Sequence, residues 1–110
     1  MQLPYFGSAV IPPEKLRDYL LSPVHPIGRF KSTFFRRLGY SPDSWERLAA
    51  DLRSLLVHEC QLIEATEFGE KYIVRGTLTG PNGRSAPVST VWIILNGQTA
   101  PRFVTAYPGV

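Results

Sequence analysis

Apolar positions recur at helical spacing in the first half of the chain and at strand spacing in the second half. Leu16, Tyr19 and Leu20 fall at i, i+3 and i+4, which predicts a short helix over residues 13–21 with one apolar stripe. Pro13 suits the first turn of this helix, where the missing N–H costs nothing.

The next predicted helix covers residues 29–38. Phe30, Phe34 and Leu38 lie at i, i+4 and i+8, so they are expected to form its buried stripe. Gly39 follows as the residue that ends the helix.

A third helix is predicted from Pro42 to about Val57, with Ser41 as its N-cap. Its apolar positions repeat with spacings of three and one, as in a strongly amphipathic helix. The predicted buried positions are Trp45, Leu48, Ala49, Leu52, Leu55 and Leu56.

The period then changes to two, and four strands are predicted over residues 61–68, 71–79, 88–95 and 102–107. An Asn-Gly pair within residues 80–84 indicates a hairpin turn. Helices followed by strands define the α+β class. We therefore expect three N-terminal helices packed on a four-stranded antiparallel meander sheet, in a single domain over residues 1–110. The buried face of the second strand is expected to carry Tyr72, Val74, Gly76 and Leu78.

The 110 residues are 44% hydrophobic, which is sufficient for one packed core and excludes a disordered chain. No apolar run reaches the roughly 20 residues of a membrane span, and the N-terminus does not resemble a secretory signal. The single cysteine, Cys60, excludes an internal disulfide framework and indicates a reducing compartment. We expect a cytoplasmic protein without membrane contact, although an effector exported by another route would have the same composition.

Charge is distributed in blocks along the chain. Residues 28–40 carry four cations and no acid, residues 41–70 carry seven acids and two cations, and residues 71–110 again carry four cations and no acid. If the two basic segments meet in space, they form a positive patch suited to a phosphate-bearing partner. Chance clustering on a solvated surface is the alternative.

No motif for a metal, a phosphate loop or a nucleophile elbow is present, so no metal and no cofactor is expected. A metal-free acid–base set remains. His25 lies in a proline-bounded loop, and Arg29 and Lys31 follow at the start of the second helix. In the last strand, alternation places Thr105 and Tyr107 on one face. Phe103 is expected on that same face and Arg102 on the opposite one.

The hypothesis that these groups suggest is RNA cleavage by transesterification, which needs a base, a phosphate-binding cation and a proton donor. The alternative is structural: His25 caps its loop, and Thr105 and Tyr107 are ordinary strand residues. Trp92 is interpreted as a core residue rather than as a platform for stacking bases, and Cys60 as a buried apolar residue.

The chain also resembles an uncharacterised bacterial domain family that occurs as small free-standing proteins and as C-terminal modules of polymorphic toxins. The resemblance covers nearly the whole chain. It rests on the motifs in residues 11–16, 19–31, 80–84, 91–93 and 101–108.

The layout of that family is similar to the barnase–EndoU–colicin–RelE group of metal-independent ribonuclease toxins. The resemblance implies a site formed by a His, a Lys or Arg, and late hydroxyl residues, although fold analogy alone does not establish function. The implied site residues are His25, Lys31, Arg102, Thr105 and Tyr107.

Three functional hypotheses follow. The first is a ribonuclease toxin that yields 2′,3′-cyclic phosphates, with RNA as substrate and a small acidic inhibitor as partner. In it His25 is the general base or acid, Arg29, Lys31 and Arg102 bind phosphate, and Thr105 and Tyr107 orient the phosphate or donate a proton. The second is a non-catalytic antitoxin, immunity-type or RNA-binding module that uses the same basic patch. The third is an enzyme acting on a nucleotide or phosphosugar.

Overall fold

A computed structural model of the chain describes residues 1–109. Helix α1, Pro13–Lys15, continues directly into a π-helical turn at Leu16–Leu20. Helix α2 covers Arg29–Arg37 and helix α3 covers Trp45–Ser54. Short 3-10 turns occur at Phe6–Ser8, Pro42–Ser44 and Leu55–Val57.

Four antiparallel strands follow the helices: β1 at Cys60–Ala65, β2 at Gly69–Thr79, β3 at Ser85–Leu95 and β4 at Arg102–Pro108. Each strand pairs with its neighbours in the chain, so the order across the sheet is β1-β2-β3-β4. This confirms the α+β class and the meander predicted from the sequence. Strands β1 and β4 form the two edges.

The hydrophobic core lies between the helices and one face of the sheet. Trp92 is fully buried there, and its ring packs edge-on against Phe103 with the centroids 5.3 Å apart. The indole N–H donates to Thr90 Oγ1 at 2.9 Å, and Thr90 donates in turn to the carbonyl of Val74. The expectation that Trp92 belongs to the core is confirmed.

The N-terminal segment contacts both sheet edges. Gln2 forms an antiparallel bridge with Glu59 beside β1, and Val10 forms a parallel bridge with Arg102 at the start of β4. Main-chain hydrogen bonds from Val10 to Pro101 and from Phe103 to Val10 protect part of the β4 edge.

The first predicted helix is wrong in detail. It begins at Pro13 as expected, but after Lys15 the chain widens into the π-helical turn, in which the Leu21 N–H donates to the Leu16 carbonyl five residues back. A π-helical turn shifts the positions that follow it, and such turns are frequent at functional sites.

The predicted buried stripe of α2 is wrong at its N-terminal end. Leu38 is buried as expected and Phe34 is partly buried against the core, but Phe30 is 74% exposed. Ser32 and Phe35 are buried instead. The buried face of α2 therefore lies further round the helix than the apolar stripe predicted from the sequence. Ser32 tolerates burial because its hydroxyl donates to the Arg29 carbonyl at 3.1 Å.

The third helix is shorter than predicted. Its ends are 3-10 turns at Pro42–Ser44 and Leu55–Val57, and the α-helical part is limited to Trp45–Ser54. The amphipathic pattern nevertheless predicted most of the buried face. Leu48, Ala49, Leu52, Leu55 and Leu56 are all buried.

Within residues 1–109, no helix has the length and apolar character needed to cross a membrane.

Candidate functional site

Lys31 joins two hydroxyl groups from different parts of the fold. Its ammonium donates to Thr105 Oγ1 at 2.8 Å and to Tyr19 Oη at 3.0 Å. The two hydroxyl oxygens are 3.4 Å apart. Lys31 lies in α2, Tyr19 in the π-helical turn and Thr105 in the edge strand β4, and all three are half-buried. We refer to Tyr19, Lys31 and Thr105 as the Lys31 cluster.

The sequence predicted Lys31 and Thr105 as site residues but missed Tyr19. Tyr19 was assigned to an apolar stripe, and its ring does pack against the core. The sequence did contain a signal for Tyr19, because a tyrosine stands at a position of the apolar stripe. A phenol at such a position needs a hydrogen-bond partner for its hydroxyl. The π-helical turn now places that hydroxyl beside Lys31.

The charges and hydrogen bonds around Tyr19 lower the pKa of its phenol. Burial of Tyr19 opposes ionisation, but hydrogen bonds from Lys31 and Thr105 and the charges of Lys31 and Lys15 act in the other direction. Their combined effect holds the pKa of Tyr19 below its ordinary value. Both cations lie near the ring, with Nζ 5.4 Å (Lys31) and 5.9 Å (Lys15) from its centroid.

The His25 side chain caps the turn that leads into α2. Its Nδ1 accepts the backbone N–H groups of Ile27 at 3.0 Å and Gly28 at 2.9 Å. These bonds assign the proton of the neutral imidazole to Nε2, because an accepting nitrogen carries no proton. The ring also packs edge-on against Tyr19, with the centroids 5.1 Å apart. His25 therefore connects the loop, α2 and the Lys31 cluster.

The loop that carries His25 is fixed at both ends. The buried Ser22 hydroxyl accepts the backbone N–H groups of Val24 and His25. At the other end, Gly28 lies so close to Tyr19 that an added Cβ would overlap the Tyr19 carbonyl oxygen. Only glycine allows this approach, so Gly28 positions α2 against the π-helical turn.

A β-bulge changes the predicted faces of β4. The register pairs Trp92 with Phe103 but Val91 with Thr105, which leaves Val104 as the extra residue. Phe103 is therefore not on the face of Thr105, and that expectation is wrong. Arg102 pairs with Ile93, in register with the Val91–Thr105 pair, so it shares the Thr105 face instead of the opposite one.

The other predicted site residues lie outside the hydrogen bonds of the Lys31 cluster. Tyr107 pairs with Ser89 on the Thr105 face and is 38% exposed. Arg102 and Arg29 are exposed, and the Arg29 guanidinium carbon lies 4.7 Å from the centroid of the Phe30 ring. Residues 28–40 and 71–110 touch where Lys31 contacts Thr105, and this contact joins a cation to a hydroxyl group rather than two cations.

This arrangement fits an anionic group. An ammonium has three N–H donors, and the two hydroxyls use two of those of Lys31. Lys31 retains a donor for an oxyanion, and the hydroxyls are groups that can exchange protons. Among the side chains of residues 1–109, no three His, Cys, Asp or Glu lie close enough together to hold a metal ion.

The fold is similar to that of a chain in the structure of a contact-dependent growth inhibition toxin–immunity protein complex from Klebsiella pneumoniae 342. The TM-score is 0.70 at 18% identity, and the match covers 96% of this chain and 97% of that chain. At this identity the likeness concerns the fold. No curated protein matches the sequence. Residues 2–110 match the family described as "Domain of unknown function (DUF6883)", and the chain belongs to this family.

Proposed function

We propose that this protein is a metal-independent ribonuclease of the toxin type, with the Lys31 cluster at its centre. The supporting observation is the contact of Lys31 with Tyr19 and Thr105, which joins an ammonium to two hydroxyl groups at an edge of the sheet. The fold likeness to a chain of a growth-inhibition toxin–immunity complex is consistent with this class.

The reaction is an in-line transesterification. The 2′-oxygen of RNA bonds to phosphorus while its proton passes to a base, and the bond to the 5′-oxygen breaks as that oxygen receives a proton. The products are a 2′,3′-cyclic phosphate and a 5′-hydroxyl. The Tyr19 phenolate, favoured by the lowered pKa of this group, accepts the 2′-hydroxyl proton, and water protonates the departing 5′-oxygen. Lys31 stabilises the charge on the phosphate oxygens. Thr105 holds the ammonium in place.

The remaining residues bind and orient the substrate. With its cap intact, His25 donates a hydrogen bond from Nε2 to a phosphate oxygen; action as a base requires it to release Ile27 and Gly28. Arg102 and Tyr107 share the face of Thr105, where the arginine binds a neighbouring phosphate and the phenol orients it. Arg29 supplies a second cation.

A ribonuclease toxin needs an inhibitor in the cell that makes it. The cations around the Lys31 cluster favour a small acidic protein that covers the site, because charge complementarity speeds association and selects the partner.

The test is incubation of the purified protein with total RNA in EDTA. The parent is expected to produce fragments with cyclic-phosphate ends, and Lys31→Met is expected to lose this activity. Lys71→Met is the matched control, since Lys71 pairs with Glu64 on β1 and β2. RNA left intact by the parent, or equal cleavage by Lys31→Met, would contradict the proposal.

A non-catalytic module of the immunity or RNA-binding kind is the second candidate. The observation that favours it is the engagement of His25 Nδ1 in a structural cap. Expression in a bacterial host separates the two candidates: a toxin arrests growth and Lys31→Met relieves the arrest, whereas a binding module leaves growth unchanged.

A further inference from the structure

The solvent-facing side of α2 combines cations with an exposed aromatic ring. Arg29, Thr33, Arg36 and Arg37 are exposed and fall at i, i+4, i+7 and i+8, which places them along one side of the helix. Phe30 lies next to this row and is 74% exposed. No acidic residue occurs between residues 28 and 40. We call this side of α2 the basic stripe.

Phe30 is open to a stacking partner. Its ring contacts the guanidinium of Arg29, and most of its surface faces solvent. Exposed aromatic rings beside arginines are the platforms on which proteins stack the bases of single strands. A carboxylate-rich protein would bind the cations without using the ring of Phe30. The exposed ring therefore favours nucleic acid as the partner.

The hairpin between β2 and β3 extends the basic stripe. The Asn82 side-chain amide donates to the Arg37 carbonyl at 2.8 Å, and its oxygen accepts the Arg84 backbone N–H at 3.0 Å. Arg84 is thereby held near the end of α2. Within residues 1–109, the side chains of Arg36, Arg37 and Arg84 make no hydrogen bond or ion pair, so their charges are available to phosphates.

A groove of about 440 Å³ opens at the same end of α2. It is lined by Thr33, Arg36, Arg37, Gly39, Tyr40 and Ser41. At 1.5 Å per residue, Arg37 is about 9 Å along the helix axis from Lys31, which is a short distance for a nucleotide chain to span. The groove and the Lys31 cluster are therefore within reach of one substrate molecule.

We propose that the basic stripe binds single-stranded RNA beyond the bond that is cleaved, with one base stacked on Phe30 and backbone phosphates on Arg36, Arg37 and Arg84. This rests on the proposed function for the identity of the substrate. A single strand is favoured because a base can stack on a side chain only when it is free of a duplex.

The test uses a fluorescent 2′-O-methyl oligoribonucleotide of about ten nucleotides, which has no 2′-hydroxyl to attack and so reports binding alone. Affinity is measured by anisotropy over a salt series. The double variant Arg36→Gln, Arg37→Gln is expected to reduce the slope of log K against log salt by about 1.4, since each single-strand phosphate contact contributes about 0.7. Phe30→Ala is expected to weaken binding roughly 5- to 100-fold with the slope unchanged.

The matched control removes the same charge elsewhere, in the double variant Arg17→Gln, Arg75→Gln. Arg17 pairs with Asp18, and Arg75 bonds to Gln61 on the sheet. A parent that does not bind the oligonucleotide, equal slopes for the two double variants, or parent-like affinity of Phe30→Ala would each overturn the proposal. Cleavage is scored separately: a protein that binds through the stripe but leaves RNA intact contradicts only the proposed ribonuclease activity.

Discussion

Lys31 and Thr105 are separated by 74 positions in the chain, and their side chains meet with Nζ 2.8 Å from Oγ1. The contact crosses from α2 to the edge strand β4, so it exists only when helix and sheet are docked. Tyr19 completes it from a third element. Variants of the Lys31 cluster therefore test both the docking of helix against sheet and the proposed chemistry.

Lys31→Met and Thr105→Val test whether this contact is energetically coupled. Each single change is expected to destabilise the protein by about 1 kcal/mol, the usual net contribution of such a hydrogen bond. The double variant is expected to lose less than the sum, with a coupling energy of at least about 0.5 kcal/mol. Urea unfolding of the parent, the two single variants and the double variant completes this double-mutant cycle. If the changes in the free energy of unfolding are strictly additive, the contact contributes nothing to stability.

Gly28→Ala is expected to destabilise the protein by about 2–4 kcal/mol, because the new Cβ collides with the Tyr19 carbonyl and neither backbone can move freely. Gly7→Ala is the matched control, since a Cβ there meets nothing within 4 Å. It should be neutral or slightly stabilising. Urea unfolding midpoints measure both, and equal midpoints would mean that the loop is not held against Tyr19 as described.

The hydrogen bonds that His25 accepts in the turn before α2 can be tested apart from any proton transfer. His25→Ala is expected to cost about 1 kcal/mol through the loss of the acceptor for the Ile27 and Gly28 N–H groups. His25→Asn should recover most of it, because the Asn oxygen can take the position of Nδ1. The two variants are compared by urea unfolding. If cleavage survives in His25→Asn but not in His25→Ala, His25 positions the site; loss in both identifies an imidazole function.

Tyr19 is expected to ionise at lower pH than the buried tyrosines Tyr40 and Tyr72. The pKa of Tyr40 is raised by burial and by its bond to Asp51, and that of Tyr72 to about 12 by its bond to Glu70 and by burial. Lys31→Met should raise the pKa of Tyr19, since the cation that favours the phenolate is gone while burial remains. Near-ultraviolet absorbance during alkaline titration measures the shift, with Tyr19→Phe identifying the signal.

The same shift has a defined effect on stability. The fold favours the Tyr19 phenolate, so ionisation of Tyr19 adds stability in alkaline solution, and this contribution is complete above the ordinary tyrosine pKa of about 10. That contribution is lost as the pH falls through the lowered pKa. An alkaline titration of Lys31→Met that is identical to that of the parent would show that Lys31 does not govern this phenol.

The sequence alone determined the α+β class, the order of the elements and the burial of Trp92. These follow from local periods of 3.6 and 2 and from the Asn82-Gly83 turn, in which neighbouring residues in the chain carry the signal. Most of the buried face of α3 was predictable for the same reason.

Only the tertiary structure decided how these elements present their side chains. The bulge at Val104 depends on the register that β4 adopts against β3, and it brings Arg102 to the face of Thr105. The rotation of α2, which exposes Phe30 and turns Lys31 inward, depends on the contacts offered by Tyr19 and Thr105. Period and composition do not encode such choices, because each one is fixed by the free energy of packing between segments far apart in the chain.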